Sequence, residues 1–300
     1  MLVWKAHRSK VRALAFAPNG GALASIAGES QFVWLWEAHT GTLLRKLKNP
    51  ANGYPVRAIA FLPDGKHLAG LHERLTATVW DADGGAVVAV LNSGHRWYSR
   101  DCLAVAPDGT RLLVYSNGAL QEWDEPARPA PTPRAPDRSH PQFGHTSQYG
   151  FSPRGRWLYR LSLRVSLYDA GNLAVERDTF SDPQGSGPTA VAFTPDETRL
   201  CVAFGHRALV WRLDDRAAPP LHLRGHAQQV RAVGFPPGGG TVFTAGSDGT
   251  VRVWDANTGA ETRAFDWGVG SVRAVCASPD GALCAAGGAD GHLVVWDADN

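Results

Sequence analysis

The sequence predicts an all-β protein built from seven similar units of about 43 residues. The first observation is a recurring aromatic residue at the end of an apolar run, at intervals of 44, 43, 45, 43, 43 and 42 residues. These residues are Trp36, Trp80, Trp123, Tyr168, Trp211, Trp254 and Trp296. The second observation is the composition, in which 33 Gly and 20 Pro punctuate 300 residues that include 11 Trp but a single Met. Such a chain favours many short strands joined by tight turns over long helices.

A tight turn marks the first hairpin of each unit. The turns read APNG at 17–20, LPDG at 62–65, APDG at 106–109, SPRG at 152–155, TPDE at 194–197, PPGG at 236–239 and SPDG at 278–281. Proline fixes one backbone dihedral of such a turn, and glycine accepts the positive φ that follows. Each unit therefore begins with two antiparallel strands and continues to a third strand that ends at the aromatic residue.

These motifs resemble those of the WD-repeat family, and the resemblance extends over essentially the whole chain. The most complete copy is GHAQQVRAVGFPPGGGTVFTAGSDGTVRVWD, from Gly225 to Asp255. The resemblance implies a single seven-bladed β-propeller at 1–300, with four-stranded antiparallel blades. The expected repeats are approximately 7–48, 49–93, 94–140, 141–181, 182–224, 225–267 and 268–300.

The resemblance also implies a buried hydrogen-bonded tetrad in each complete blade. In the sixth unit the tetrad maps onto His226, Thr244, Asp248 and Trp254. The other units are incomplete. Unit one has His7, Ser25 and Trp36 but only Glu29 or Ser30 for the aspartate, unit seven has Asp290 and Trp296 but no histidine, and unit four closes with Tyr168.

The two ends of the sequence predict how the ring closes. Residues 2–16, LVWKAHRSKVRALAF, align with residues 221–235, LHLRGHAQQVRAVGF. Leu2, Val3 and Trp4 then occupy a fourth-strand position, while the seventh unit reaches only its third strand before Asn300. We expect residues 1–6 to supply the last strand of blade seven, which removes two exposed sheet edges.

One segment departs from the repeat. Residues 125–142, EPARPAPTPRAPDRSHPQ, lengthen the link between units three and four and are rich in Pro and Arg. Because proline cannot donate to a strand ladder, the fourth strand of blade three is expected to be short or displaced. The segment is interpreted as a surface insertion, and a proline-rich docking peptide is the alternative.

Composition and motifs argue against several classes of function. A formal net charge of +2 gives no general attraction to nucleic acid or to an anionic membrane, and no apolar run is long enough to span a membrane. The four Cys have no metal-ligand spacing and are expected to be buried thiols, although Cys276 and Cys284 flank one turn and could face each other. The chain has no phosphate-binding loop, zinc-hydrolase or nucleophile-elbow motif, so we expect no enzyme activity, cofactor or metal.

The start of the chain lacks a secretory signal, which favours the cytoplasm. The use of 25 Arg against 5 Lys is typical of a GC-rich bacterium. We expect the protein to be a monomer that binds neither nucleic acid nor membranes.

The candidate binding residues lie where the resemblance places the face of the propeller around its channel mouth. Aligning the units on VRA puts four arginines at one repeat position in units that are neighbours in a closed ring: Arg12, Arg57, Arg231 and Arg273. Asp101 and Thr189 take this position in units three and five. Because arginine binds carboxylates in a bidentate fashion, the arc predicts an acidic ligand.

Aromatic residues in neighbouring loops extend the candidate surface. Unit three contributes Trp97, Tyr98 and Arg100, unit two Tyr54 and unit seven Trp267. Trp, Tyr and Arg are enriched in binding hot spots. The alternative interpretation is that the arginines pair with nearby acids such as Glu29 and Glu73, and that Trp97 packs beneath its own loop.

These observations predict a non-catalytic scaffold that binds an acidic segment of another protein at the channel mouth. A regulatory propeller that binds a small acidic ligand at the same place is the alternative.

Overall fold

The computed structural model describes residues 1–28, 30–50, 54–72, 76–92, 102–116, 119–129, 133, 135–140 and 148–298. In these residues the chain forms 28 strands and no helix. The strands of the first half are β1 (Leu2–Lys5), β2 (Val11–Phe16), β3 (Ala22–Ala27), β4 (Phe32–Glu37), β5 (Leu43–Lys48), β6 (Val56–Phe61), β7 (His67–His72), β8 (Thr76–Asp81), β9 (Val87–Asn92), β10 (Leu103–Val105), β11 (Arg111–Ser116), β12 (Ala119–Asp124), β13 (Arg138–His140) and β14 (Gln148–Phe151). Those of the second half are β15 (Trp157–Leu161), β16 (Val165–Asp169), β17 (Asn172–Phe180), β18 (Pro188–Phe193), β19 (Arg199–Phe204), β20 (Arg207–Arg212), β21 (Leu221–Arg224), β22 (Val230–Gly234), β23 (Thr241–Gly246), β24 (Thr250–Asp255), β25 (Glu261–Asp266), β26 (Val272–Ala277), β27 (Leu283–Gly288) and β28 (His292–Asp297).

The strands form seven four-stranded antiparallel sheets, which are the blades of a propeller. Blade one is β2 to β5, blade two β6 to β9, blade three β10 to β13, blade four β14 to β17, blade five β18 to β21 and blade six β22 to β25. Blade seven combines β26, β27 and β28 with β1, in that order from the inside outwards. The predicted fold class is confirmed.

Strand β1 closes the ring as the sequence alignment predicts. It pairs antiparallel with β28, so that Leu2 lies opposite Val295 and Lys5 opposite His292. The outermost strand of blade seven therefore comes from the opposite end of the chain from its three partners. The inner strands β2 and β26 also contact each other, which joins blade one to blade seven at the channel.

The hydrophobic core consists of seven clusters, each of which joins two adjacent blades. Between blades one and two, for example, Ile26 and Val33 pack with Leu68 and Trp80. Equivalent clusters occupy the other six boundaries around the ring. Because each blade packs against a neighbour on both faces, its second strand is buried on both sides, as β3, β7 and β19 are. Removing apolar surface from water in this way stabilises the ring by about 25 cal/mol per Å².

The ring has two different faces. The top face carries the loops that connect one blade to the next and the turns between second and third strands. The bottom face carries the turns between first and second strands, where the proline of one turn lies against the glycine of the next, as Pro63 does against Gly109 and Pro107 against Gly155.

Two local predictions can be compared with the structure. Strand β13, the fourth strand of blade three, has only three residues, as its proline-rich approach predicts. The four cysteines are free, and only Cys276 is not fully buried. Cys276 pairs with Ala285 and Cys284 with Ala277, so the two thiols lie on opposite faces of the sheet and do not face each other.

Candidate functional site

A β-bulge places each of the four candidate arginines. The register of the inner strand shifts between Val11 and Ala13, Val56 and Ala58, Val230 and Ala232, and Val272 and Ala274. The residues skipped by these shifts are Arg12, Arg57, Arg231 and Arg273. A bulge redirects the side chain of its extra residue away from the regular alternation of the strand. In blade five the same shift skips Thr189.

The four bulge arginines line one cavity at the top mouth of the channel, with a volume of about 610 Å³. Its other lining residues are Lys10, Gln148, Leu161, Pro188, Thr189 and Gln229. Among the described residues that line it there are five cationic side chains and no carboxylate. The cations come from blades six, seven, one and two, whereas blades four and five contribute uncharged groups. The cavity therefore has a cationic half and a neutral half.

The surroundings of the arginines differ. Nε of Arg231 donates to Ser247 Oγ at 2.7 Å, which fixes the stem of an otherwise exposed side chain. Arg273 is half-buried, and its Nε lacks a hydrogen-bond partner among the described residues. Neither Arg231 nor Arg273 forms an ion pair within the described part of the chain. Arg12 and Arg57 have further interactions, and their suggested partners Glu29 and Glu73 lie outside the described residues.

The aromatic candidates fall in different places. Trp97, Tyr98 and Arg100 lie outside the described residues. Tyr54 is half-buried, and its carbonyl accepts a hydrogen bond from Nδ2 of Asn49 at 2.8 Å. Trp267 stacks on Phe265 with a centroid distance of 5.2 Å and packs on Trp296 at 4.9 Å. Much of the Trp267 ring thus belongs to the packing of blade seven, and its part in binding stays a prediction.

The tetrad residues of blade six form one connected chain of hydrogen bonds. Trp254 Nε1 donates to Thr244 Oγ1 at 2.8 Å, and His226 Nε2 lies 2.8 Å from the same hydroxyl. Because the Asp248 carboxylate can only accept, the proton of the neutral imidazole is on Nδ1, and Nε2 accepts the hydroxyl proton of Thr244. Nδ1 then donates to Asp248 Oδ2 at 2.9 Å. Burial lowers the pKa of His226, which keeps this imidazole neutral.

Blade one contains the same relay, the chain of hydrogen bonds from tryptophan through a hydroxyl to histidine. No described residue takes the place of the aspartate there. Trp36 Nε1 donates to Ser25 Oγ at 2.7 Å, and His7 Nε2 lies 2.8 Å from that hydroxyl. In blade seven, where the loop has no histidine, Asp290 instead accepts a hydrogen bond from His292 Nδ1 at 2.6 Å.

Two polar pairs in other blades were missed by the sequence analysis. In blade two, the fully buried His72 lies with Nε2 2.8 Å from Thr78 Oγ1. In blade five, Asp182 of the inter-blade loop forms a buried ion pair with Arg207 of β20. Blade five thus reverses the arrangement of blade six, with the acid on the loop and the base on the sheet. A search for buried polar residues at any repeat position could have found them.

The described residues offer no evident catalytic centre. No group of three His, Cys, Asp or Glu side chains among them is arranged to hold a metal ion. Burial raises the pKa values of the Cys201, Cys276 and Cys284 thiols, which disfavours the nucleophilic thiolate. The described part of the chain also has no helix that could cross a membrane.

The chain resembles known proteins along most of its length. The family described as "WD domain, G-beta repeat" matches residues 1–37, 218–255 and 265–297, which include Arg12, Arg231 and Arg273. The nuclear distribution protein PAC1 of Arthroderma otae is 34% identical, over 84% of this chain and 60% of its own length. A guanine nucleotide-binding protein subunit beta of Nicotiana tabacum is 23% identical, over 88% of this chain and 60% of its own length.

A WD repeat-containing protein WDS homolog of Arabidopsis thaliana is 23% identical, over 83% of this chain and 47% of its own length. The chain thus spans about 60% or less of these relatives. All three are eukaryotic, so the bacterial source suggested by the arginine content has no support from them. The seven blades and these matches identify the chain as a β-propeller of the WD-repeat type.

Proposed function

We propose that this propeller is a non-catalytic scaffold that binds an acidic segment of a partner protein at the top mouth of its channel, in the cytoplasm. The observation that carries the proposal is the cavity lined by Lys10 and the four bulge arginines, in which no described lining residue is acidic. Cations gathered in one cavity repel one another, and an anionic ligand relieves that repulsion.

The arginine side chains that line this cavity favour recognition of a ligand over catalysis. Guanidinium groups stay protonated and donate in fixed directions, so they bind anions well but serve poorly as general bases. A relative named as a subunit of a guanine nucleotide-binding protein is consistent with a role within an assembly.

A small acidic ligand is the second candidate. The cavity volume of about 610 Å³ lies within the range of small-molecule sites, and its concave shape could enclose most of such a ligand. The propeller would then act as a sensor or regulatory domain.

Charge reversal tests the proposal. We expect the double variant Arg231→Glu with Arg273→Glu to lose most of the proteins that the unchanged chain captures from a lysate of its native host. These two arginines suit the test because neither forms an ion pair within the described part of the chain, so their replacement leaves no described carboxylate without its partner. Captured proteins are quantified by mass spectrometry, and the melting temperature is expected to change little.

The matched control is Arg128→Glu with Arg224→Glu, which changes the net charge equally. Both side chains are exposed and lie away from the cavity, on the bottom face and on an outer strand. Equal capture by the two double variants would contradict binding at the channel mouth. If Arg231→Glu with Arg273→Glu lost only bound low-molecular-mass compounds and kept the captured proteins, the sensor function would be favoured over the scaffold function.

A further inference from the structure

The donors of the cavity come from four adjacent blades and line an arc of its wall. Arg231 belongs to blade six, Arg273 to blade seven, Arg12 to blade one and Arg57 to blade two. A carboxylate has two oxygens in one plane, so one arginine already satisfies its preferred bidentate geometry. A phosphate ester presents three acceptor oxygens in a tetrahedral arrangement and carries −1.5 to −2 charges at about neutral pH. Donors distributed over an arc of four blades can reach one ligand from several directions, which suits the second geometry better.

Two details of the side chains support a compact dianion. The bond from Arg231 Nε to Ser247 Oγ holds the guanidinium stem and leaves its terminal nitrogens for a ligand. Arg273 Nε is buried and has no hydrogen-bond partner in the described part of the chain. Because this Nε is fully covered, a ligand can reach it only if the Arg273 side chain moves, and an unpartnered buried donor costs free energy that favours such a move.

The neutral half of the cavity adds a second requirement. The lining there consists of Gln148, Gln229, Thr189 and the buried residues Leu161 and Pro188, none of which is charged. Thr189 Oγ1 donates to the carbonyl of Val230 at 2.8 Å, so its hydroxyl proton is already engaged. This side suits an uncharged organic group better than a second anion.

We infer that the charged group recognised at the channel mouth is a phosphate monoester, with its phosphate against the arginines and its uncharged part in the neutral half of the cavity. The inference rests on the proposed function and deepens it, because it assigns the acidic ligand to an organic phosphate. The ester could come from a phosphorylated side chain of a partner protein or from a free metabolite.

Three immobilised nonapeptide libraries, identical except for a central phosphoserine, glutamate or serine, test the inference. We expect the phosphoserine library to retain about tenfold more of the unchanged protein than the glutamate library, because phosphate offers one or two additional charge-assisted hydrogen bonds. Arg231→Glu with Arg273→Glu should abolish the difference, and Arg128→Glu with Arg224→Glu should preserve it.

Calorimetry with glycerol 2-phosphate separates the two sources of the ester. Arginine-dependent binding of glycerol 2-phosphate without preference for the phosphoserine library supports a free phosphate ester. A preference for the phosphoserine library supports a phosphorylated partner. Equal retention by the phosphoserine and glutamate libraries together with no arginine-dependent binding of glycerol 2-phosphate overturns the inference, as does a preference for phosphoserine that the Arg231→Glu with Arg273→Glu variant retains.

Phosphatase treatment of the host lysate distinguishes the two failures. If capture requires Arg231 and Arg273 but persists after dephosphorylation, the proposed scaffold function is supported and the inferred phosphate ligand is refuted. Capture that does not require these arginines refutes the proposed function itself.

Discussion

Buried imidazoles in blades one, two and six make the stability of the ring depend on pH. Burial lowers the pKa of His72 to about 3, and burial together with Lys46 lowers that of His7 to about 4, from an ordinary value of 6.5. Between these values the unfolded chain binds protons that the folded chain excludes. The contribution of each histidine to stability is therefore complete above pH 6.5 and is lost as the pH falls toward the folded-state value.

The substitution His72→Gln is expected to reduce this dependence. Glutamine can hydrogen bond to Thr78 but does not titrate, so the slope of the unfolding free energy against pH should fall by up to about 1.4 kcal/mol per pH unit. Urea unfolding at several values between pH 4.5 and pH 6 measures the slope. The exposed His222→Gln is the control, and an unchanged slope in His72→Gln would contradict the assigned burial effect.

Two aspartates test the hydrogen-bond relay of blade six. Asp248→Ala removes the acceptor of His226 Nδ1 and of the Ala227 amide, at a site where the Asp248 side chain is 8% exposed, and should cost about 1 to 3 kcal/mol. Asp290→Ala should cost less, because the Asp290 side chain is 36% exposed and water can replace it. Equal losses of unfolding free energy in urea would count against the relay.

At the scale of single elements, the turns and strands were readable from the sequence, but the bulges were not. Proline and glycine at fixed offsets predict the first hairpin of each unit, because they restrict the backbone locally. A bulge is set by pairing between two strands, and nothing in VRA distinguishes a bulged Arg12 from a regularly paired one. The ion pair of Asp182 with Arg207 was missed for a similar reason, since it has no counterpart at the same positions of other units.

The turn of blade five has Glu197 where six other turns have glycine. Its φ is 61°, and the six glycines have values between 65° and 77°. Glu197 is buried, and its carboxylate accepts a hydrogen bond from the Arg154 amide of blade four at 2.7 Å. This contact between blades offsets the strain of a side chain in the left-handed region, which is about 1 to 2 kcal/mol.

Comparing Glu197→Ala with Glu197→Gly separates the strain from the contact. Both variants lose the hydrogen bond to Arg154, but only alanine retains the penalty of a positive φ. We expect Glu197→Ala to be less stable than Glu197→Gly by about 1 kcal/mol in urea unfolding. Glu197→Gln keeps an acceptor oxygen and should lie closest to the unchanged protein, and an alanine variant as stable as the glycine variant would contradict the strain.

At the scale of the molecule, stability depends on a ring in which each cluster of the core needs two neighbouring blades. Strand β1 must join the other three strands of blade seven, which are distant from it in sequence. Trp4 of this strand packs against Gly41 and lies with its ring 5.7 Å from that of Trp36, so β1 joins blade seven to blade one as well as pairing with β28. The alignment of residues 2–16 with 221–235 made this closure predictable, because a repeated strand predicts a repeated position.

Deleting residues 1–6 should therefore destabilise the whole ring. The deletion removes several backbone hydrogen bonds to β28, each worth about 1 kcal/mol, together with the packing of Trp4, and exposes an unpaired edge. We expect a clear fall in melting temperature and concentration-dependent aggregation, measured by thermal unfolding and light scattering. A truncated chain that melts with the intact protein would show that closure by β1 contributes little.

A circular permutant provides the control for that deletion. Moving residues 1–6 behind Asn300 through a short Gly-Ser linker restores the strand to blade seven, now as a hairpin within one contiguous blade. Because loop-closure entropy changes slowly with loop length, the permutant should recover most of the lost melting temperature and remain monodisperse. Recovery would assign the defect to the missing strand, whereas a permutant as unstable as the truncated chain would mean that residues 1–6 act through their covalent connection to blade one.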